Sequence, residues 1–367
     1  MRVLIASALE ASSLAAHAIN TVKMAQGFAQ AGHEVTIVCC RPLKGKMSPA
    51  KLNEIYGLVA PLDWIQLPSR WLIGSHWVFG LWAWQASRRI KPDLVYARNY
   101  IFPWLTSALG VPTVAESHAH VGHKALPFSM LVKATHHPTF KIWVTISKRL
   151  VDYYQTCGVP IDKLIVLPDA VDLNIFQRPS PLSNSPFDNS RPNIVYAGHL
   201  YDYKGIPTVL EAAKLLPSFW FHLVGGRLQD IVLQQERAQQ LNLTNVTFHG
   251  LKPQSQVPPF LWHADVLLLP PSQHHPSAAW TSPLKLGEYL ASGTPVVATD
   301  IPALRDWVTD EEVIFVPPDD PRALAKGIQN IVEDTAKAQD LAANGLYKAQ
   351  TMSYKHRVEA ILQQCKG

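Results

Sequence analysis

Lys204 lies in Gly198-His-Leu-Tyr-Asp-Tyr-Lys-Gly205, between an apolar run and a helical one. A glycine at a strand end lets backbone approach a ligand, and a lysine in the same loop can neutralise phosphate. Alone, that spacing occurs by chance. A second group is Thr281–Thr299, TSPLKLGEYLASGTPVVAT. Thr281 and Ser282 are N-cap types, and Pro283 suits the first helical position. Leu284, Leu286, Tyr289 and Leu290 give the helix an apolar face. Gly293 and Pro295 stop it, and Val296–Ala298 reads as a buried strand. The first turn of such a helix has unpaired N–H groups and a partial positive charge, which suit an anion. Pro283 has no N–H, so Leu284 and Lys285 are the expected donors. Glu288, one turn on, can accept hydrogen bonds from sugar hydroxyls. Phosphate at the helix start and a diol one turn later describe a nucleotide site. The plain alternative is a capped helix with a solvated glutamate.

A third group lies at the ends of apolar runs in the first half. Arg98 follows Lys91–Ala97, Glu116 and His118 follow Gly110–Ala115, and Ser147 follows Trp143–Ile146. In a parallel sheet, ligands collect outside the carboxyl ends of strands, so these residues converge on one edge. His118 is either a structural hydrogen-bonding ring or a group facing substrate. His120 and His123 follow closely, but the spacing fits neither HExxH nor a closed zinc set, and no metal is expected.

The elements that position these groups alternate strand and helix. Residues 2–6 read as a strand, 7–16 as a loop, 17–31 as a helix capped by Gly32, and 34–40 as the next strand. That is the opening of a Rossmann-like domain. No GxGxxG follows the first strand, which argues against a dinucleotide cofactor there. The loop is instead read as part of an acceptor site, with Glu10, His17 and Arg98 as candidates. Leu164–Pro168 reads as a strand, and the Pro- and Ser-rich stretch 178–192 as a linker or extended loop. The boundary is placed near Asp172, giving domains 1–172 and 173–349. Tyr347–Lys366 reads as a final helix, with about 350–367 crossing back onto the first domain.

At 367 residues and 47% apolar, the chain suits two domains with two cores. A net charge of +5 fits phosphate-bearing ligands or an anionic membrane face. No basic run with interleaved aromatics exists, so no nucleic-acid partner is expected. Cys39, Cys40, Cys157 and Cys365 show no CxxC spacing, and reduced thiols in a cytoplasmic protein are expected. The chain opens on a strand rather than a signal peptide, and no apolar run is long enough to span a membrane. Five of eleven tryptophans, Trp64, Trp71, Trp77, Trp82 and Trp84, crowd the stretch 64–91 ahead of Arg88, Arg89 and Lys91. This reads first as an amphipathic core helix, with peripheral membrane contact as the alternative.

Ala-Ser-Gly-Thr-Pro-Val-Val at 291–297, Gly32–Val38 and the Gly198…Lys204-Gly205 loop resemble retaining GT-B glycosyltransferases of family 4, the glycogen-synthase-like group. The resemblance runs from Met1 to about Arg357. It implies an α/β GT-B fold, two Rossmann-like domains facing a central cleft whose closure excludes water. It implies transfer of a sugar from a nucleotide sugar, most commonly UDP-linked, to an acceptor hydroxyl of a glycan, lipid or small molecule. Anomeric configuration would be retained, with no metal and no resident cofactor. Lys204 and His199 map to the diphosphate contacts, with His199 where the family has Arg. Gly198, Leu251, Thr281, Ser282, Leu284, Lys285 and Glu288 map to the rest of the donor site. His118 maps to the catalytic His of a Glu-x-His motif, beside Lys204 and Glu288 as catalytic residues. Trp280 stands where the family has the first of two motif glutamates, so the sugar contact must differ. A nucleotide-sugar epimerase or a non-catalytic nucleotide-sugar binder of the same fold are the alternatives.

Overall fold

The computed structural model describes residues 1–68, 76–118, 120, 126–182, 184–187 and 190–366. Short runs of branched apolar residues form strands buried on both faces, as in Glu34–Cys40 and Val296–Thr299. The chain divides into two units, one of Met1–Ala170 with Tyr354–Gly367 and one of Val171–Ser353.

The first unit holds strands β1 (Arg2–Glu10), β2 (Glu34–Cys40), β3 (Asp63–Leu67), β4 (Leu94–Ala97), β5 (Thr113–Glu116), β6 (Phe140–Thr145) and β7 (Leu164–Val166). Among the described residues they form one parallel sheet in the order β3-β2-β1-β4-β5-β6-β7. β1 is longer than the expected strand 2–6. A register shift between Ala6 and Glu10 lets it continue beside β2 to Cys40, burying Ser7 and Leu9 in what was expected to be loop. The helices Ala16–Gln30 and Tyr354–Lys366 cover one face, packing Val22, Phe28, Val358 and Ile361 on Val3, Ile5 and Tyr96. Gly27 permits this, because a Cβ there would lie 3.2 Å from the Tyr354 backbone and side chain. The helices His76–Ile90 and Ile101–Ala108 cover the other face through Phe79, Ala83 and Phe102.

The second unit holds β8 (Asn193–Ala197), β9 (Trp220–Val224), β10 (Val246–Gly250), β11 (Val266–Leu269), β12 (Val296–Thr299) and β13 (Ile314–Val316). They form a parallel sheet in the order β10-β9-β8-β11-β12-β13. The helices Ile206–Leu215 and Pro321–Glu333 share one core, and Leu284–Ala291 sits in the other.

Two sequence expectations are resolved by the structure. Of the two readings for 178–192, linker or extended loop, the structure takes the second, since the stretch lies inside the second unit without helix or strand among its described residues. Arg178 donates from Nε to Ser292 O at 3.1 Å and from a terminal nitrogen to Thr294 Oγ1 at 2.8 Å, and Phe187 is buried against His222. One aromatic anchor in a Pro/Ser-rich segment suffices to bind it down. The expected helix 347–366 is two helices, Thr335–Thr351 and Tyr354–Lys366. They break where Met352 O accepts the Val171 N–H and Ser353 bridges Val171. No described helix is long and apolar enough to cross a membrane.

Candidate functional site

The carboxyl edge of the second sheet gathers the nucleotide-site candidates. β8 ends at Ala197, and the chain leaves through Gly198 at φ +142, where a Cβ would meet Lys285 Nζ at 2.7 Å. Lys285 crosses beneath, its Nζ 3.9 Å from the centroid of the Tyr196 ring, where the π face attracts a cation. Gly205 caps the far end of the loop at φ +83, and a Cβ there would lie 1.8 Å from Pro270 O. The loop is thus held against the end of β11. Gly205→Ala is expected to cost on the order of 3 kcal/mol through φ strain and the forced backbone shift, read as a lower midpoint in chemical denaturation.

Lys204 and Lys285 both line a small cavity, about 10 Å³, with Tyr196, Pro270, Pro271, Thr281 and Pro283. That volume holds at most one water, so an anion would sit over its mouth. The lining offers two amines and no carboxylate. Burial holds both lysines below the ordinary lysine range, and Lys204 lowers Lys285 further, against the pull of Glu288. Two half-buried ammonium groups close enough to repel one another are a receptor for negative charge.

The neighbouring helix starts differently from expectation. Pro283, at φ −75 and ψ 124, is itself the N-cap, and the helix is Leu284–Ala291. Thr281 and Ser282 precede it, and neither is its N-cap residue. Proline's extended ψ moves the start one residue on. The amides of Leu284 and Lys285, at the first two helical positions, have no intrahelical acceptor, and the Pro283 cap itself offers no side-chain oxygen to them. Glu288 follows one turn later. Burial pushes its carboxyl up to about 7, against the opposing pull of Lys285 and a hydrogen bond from Gln254.

That value gives a pH prediction. Below pH 7 the Glu288 carboxyl holds its proton; above, it ionises and becomes a full acceptor for a diol. Affinity for a nucleoside diphosphate is therefore expected to rise as pH climbs through about 7, and Glu288→Gln is expected to flatten the slope, measured by titration calorimetry.

His199, in the loop, is held below the ordinary histidine range by burial and then by Arg227 and Lys285, so at neutral pH it carries no charge. It opens a row of stacked rings that sequence reasoning missed. His199 and Tyr201 lie 5.0 Å apart, Tyr201 and Tyr203 5.3 Å, and Tyr203 and His275 4.2 Å, all near-parallel. Arg227 lies over Tyr201 at 5.9 Å and Lys204 over Tyr203 at 5.1 Å. The Tyr-x-Tyr spacing beside Lys204 was the available signal. Leu251 is exposed beyond the end of β10. Trp280 closes the short turn Pro276–Ala279, its N–H donating to Ser277 O at 3.1 Å.

In the first unit, Arg98, Glu116 and His118 do converge at the carboxyl edge. Arg98 donates to His118 Nδ1 at 3.1 Å, and since a guanidinium only donates, Nδ1 must be the acceptor. The ring proton then sits on Nε2, which faces Glu116 Oε1 at 2.5 Å. Both ring nitrogens are engaged within the protein. Glu116 has no exposed side-chain surface and lies 3.7 Å from Arg98 Nε and 3.2 Å from a terminal nitrogen of Arg357. Burial pushes its carboxyl up, but Arg357 and His118 outweigh this and hold it below the usual range. Asp169 lies 3.6 Å from His118 Nδ1 and accepts from Asn20 Nδ2 at 2.6 Å. Arg357, Asp169 and Asn20 carried no local sequence signal.

Donor atoms of Glu116, His118 and Asp169 fall within 4.8 Å of one another, as metal ligands would. Two guanidinium groups already supply the positive charge there. The His120 ring lies tilted against Tyr153, centroids 3.7 Å apart, and His123 lies outside the described residues. His17 is exposed in the first turn of its helix, and its carbonyl accepts from Arg98 at 3.3 Å. Glu10 stands on the same sheet edge, beside Cys40.

Comparison with known proteins identifies the family and the fold. The family description "Glycosyl transferases group 1" matches residues 182–347, and "Glycosyltransferase Family 4" matches residues 19–175. A D-inositol 3-phosphate glycosyltransferase of Thermomonospora curvata is 26% identical over 245 residues, which cover 60% of this chain and 54% of that protein. The chain thus matches about half the length of that relative. The structure is similar to Anabaena HepE in complex with UDP, with a TM-score of 0.74 at 17% identity, covering 99% of this chain and 100% of the other. It is also similar to a glycosyltransferase from Rickettsia africae, with a TM-score of 0.75 at 16% identity, covering 100% and 97%. These likenesses give the fold, two Rossmann-like α/β units of GT-B type. With the two family matches taking in most of both units, the chain belongs to the family-4 glycosyltransferases of GT-B fold.

Proposed function

We propose that this protein transfers a sugar from a UDP-sugar to an acceptor hydroxyl, with retention of anomeric configuration and without a metal. One observation carries the reading. Lys204 and Lys285 line one cavity beside the open N-terminus of Leu284–Ala291, with Glu288 a turn further on. That arrangement takes a diphosphate on amines and backbone amides and a ribose diol on the carboxylate. UDP and the sugar are suggested by the UDP complex of HepE and by the glycosyltransferase named in Thermomonospora curvata.

In the step proposed, the bond from the anomeric carbon to the diphosphate oxygen breaks, and its electron pair stays on the phosphate. The acceptor oxygen bonds to the anomeric carbon on the same face and passes its proton to the departing phosphate. Lys204, Lys285 and the Leu284 and Lys285 amides stabilise the charge that grows there. No protein nucleophile is required. With both ring nitrogens of His118 engaged, its role is to hold Arg98 and Glu116 in place, and a ring nitrogen reaches substrate only by exchanging a partner. None of the four cysteines is in a disulfide, and Cys39 and Cys40 are buried, which suits work in a reducing compartment such as the cytoplasm.

Calorimetry across UDP, GDP and ADP tests the donor, with UDP expected to bind tightest. UDP release that depends on an added acceptor, unchanged by chelator, is the expected product result. Acceptor-independent epimerised sugar would mean an epimerase, and nucleotide binding without turnover of any sugar donor would mean a binder.

A further inference from the structure

The helix His76–Ile90 turns Phe79, Ala83 and Ser87 inward onto the first sheet. Val78 and Trp84 flank that inward side, half-buried against the same core, and the outward side carries Trp77, Leu81, Trp82, Gln85, Arg88 and Arg89. Trp77, Leu81 and Trp82 are 36%, 49% and 38% exposed. Three bulky apolar side chains grouped on an outward face call for a covering partner. The far end of the same face is basic, with Arg88, Arg89 and Lys91 all exposed. No acidic residue occurs in 76–92, and the first beyond it, Asp93, is paired with Arg2 at 3.5 Å. The Arg88 guanidinium lies over the Trp84 ring at 5.5 Å. Beside it opens a cavity of about 590 Å³ lined by Trp84, Ser87, Arg88, Lys91, Leu109 and Val111. It lies at the amino-terminal ends of β4 and β5, away from the edge that holds Arg98 and His118. Leu109 on its rim is 54% exposed.

We infer that this face docks on an anionic lipid bilayer. The helix lies in the plane of the surface. Trp77, Leu81 and Trp82 enter the headgroup boundary, and Arg88, Arg89 and Lys91 engage lipid phosphates. The cavity beside Trp84 accepts one phosphate headgroup between its two cations, with the start of an acyl chain along Leu109 and Val111. Charge selects the occupant. A second copy of this face would bring the same three cations and repel, whereas an anionic bilayer supplies both negative charge and an apolar layer. The assignment stands independently of the transferase reading.

The test is flotation of the whole protein with vesicles of equal parts phosphatidylcholine and phosphatidylglycerol, against phosphatidylcholine alone, read alongside quenching of tryptophan emission by brominated acyl chains. Binding and quenching are expected only with the anionic vesicles. Arg88→Gln, Arg89→Gln and Lys91→Gln together are expected to weaken partitioning about a hundredfold, at about fivefold per cation. Trp77→Ala with Trp82→Ala is expected to abolish quenching. Unchanged circular dichroism and UDP affinity show that each variant is folded. Three results would overturn the assignment: no flotation with anionic vesicles, flotation that the glutamine variant retains in full, or a concentration-dependent dimer that Trp82→Ala dissolves.

Discussion

Lys204→Ala is expected to lower kcat/KM for a UDP-sugar by about 10²–10³-fold, on the scale of removing one preorganised donor from a developing oxyanion. The reason lies in what else remains in the pocket. His199 is neutral at working pH, since burial and the cations Arg227 and Lys285 hold its proton off. Lys285 is held low by burial and by Lys204 itself. Removing Lys204 takes away the ammonium carried by the loop and lets Lys285 return toward its ordinary state, which compensates only in part. UDP affinity is expected to fall as well, because UDP keeps the phosphates that Lys204 engages. Lys204→Arg keeps the charge and is expected to recover part of both losses. Steady-state kinetics and calorimetry on the same preparations separate loss of binding from loss of turnover.

Arg357→Ala is expected to destabilise the first unit by about 3–5 kcal/mol, the range for stranding one member of a buried ion pair. Arg357 comes from the last helix, donates to Leu167 O and Pro168 O, and pairs with the fully buried Glu116. Without it, Glu116 keeps Arg98 and His118 among the described residues. The double variant with Glu116→Gln is expected to recover much of the loss, since it removes the stranded charge. The pH dependence has a definite sign. The Glu116 carboxyl titrates below its ordinary value in the folded protein, so the contribution of its pairing is present above the ordinary carboxylate range. It is lost as pH falls through the lowered value. The gap between wild type and Arg357→Ala should therefore close in acid, in thermal melts followed by circular dichroism.

The sequence signals that held were local. The helix over Leu284–Ala291 and the strand at Val296–Thr299 follow from periodicity and glycine positions. What the sequence could not show depends on neighbours far along the chain. The ring stack from His199 to His275 joins two loops that only the sheet order brings together. Arg357 meets Glu116 only because the final helix packs beside the one at Ala16–Gln30. Local propensity also misled once. Thr281 and Ser282 looked like caps, but the extended backbone of Pro283 took that position. For 178–192 composition left linker and extended loop open, and only Phe187 and Arg178, which bind it into the second unit, decide for the loop.

The central claim is that an open helix start and two amines take the diphosphate while Glu288 takes the ribose. A crystal structure of the protein with UDP tests it most directly. The phosphates should lie against the amides of Leu284 and Lys285 and the amines of Lys204 and Lys285, with a ribose hydroxyl on Glu288. Well-ordered UDP bound anywhere else, with that helix start left to solvent, would contradict it.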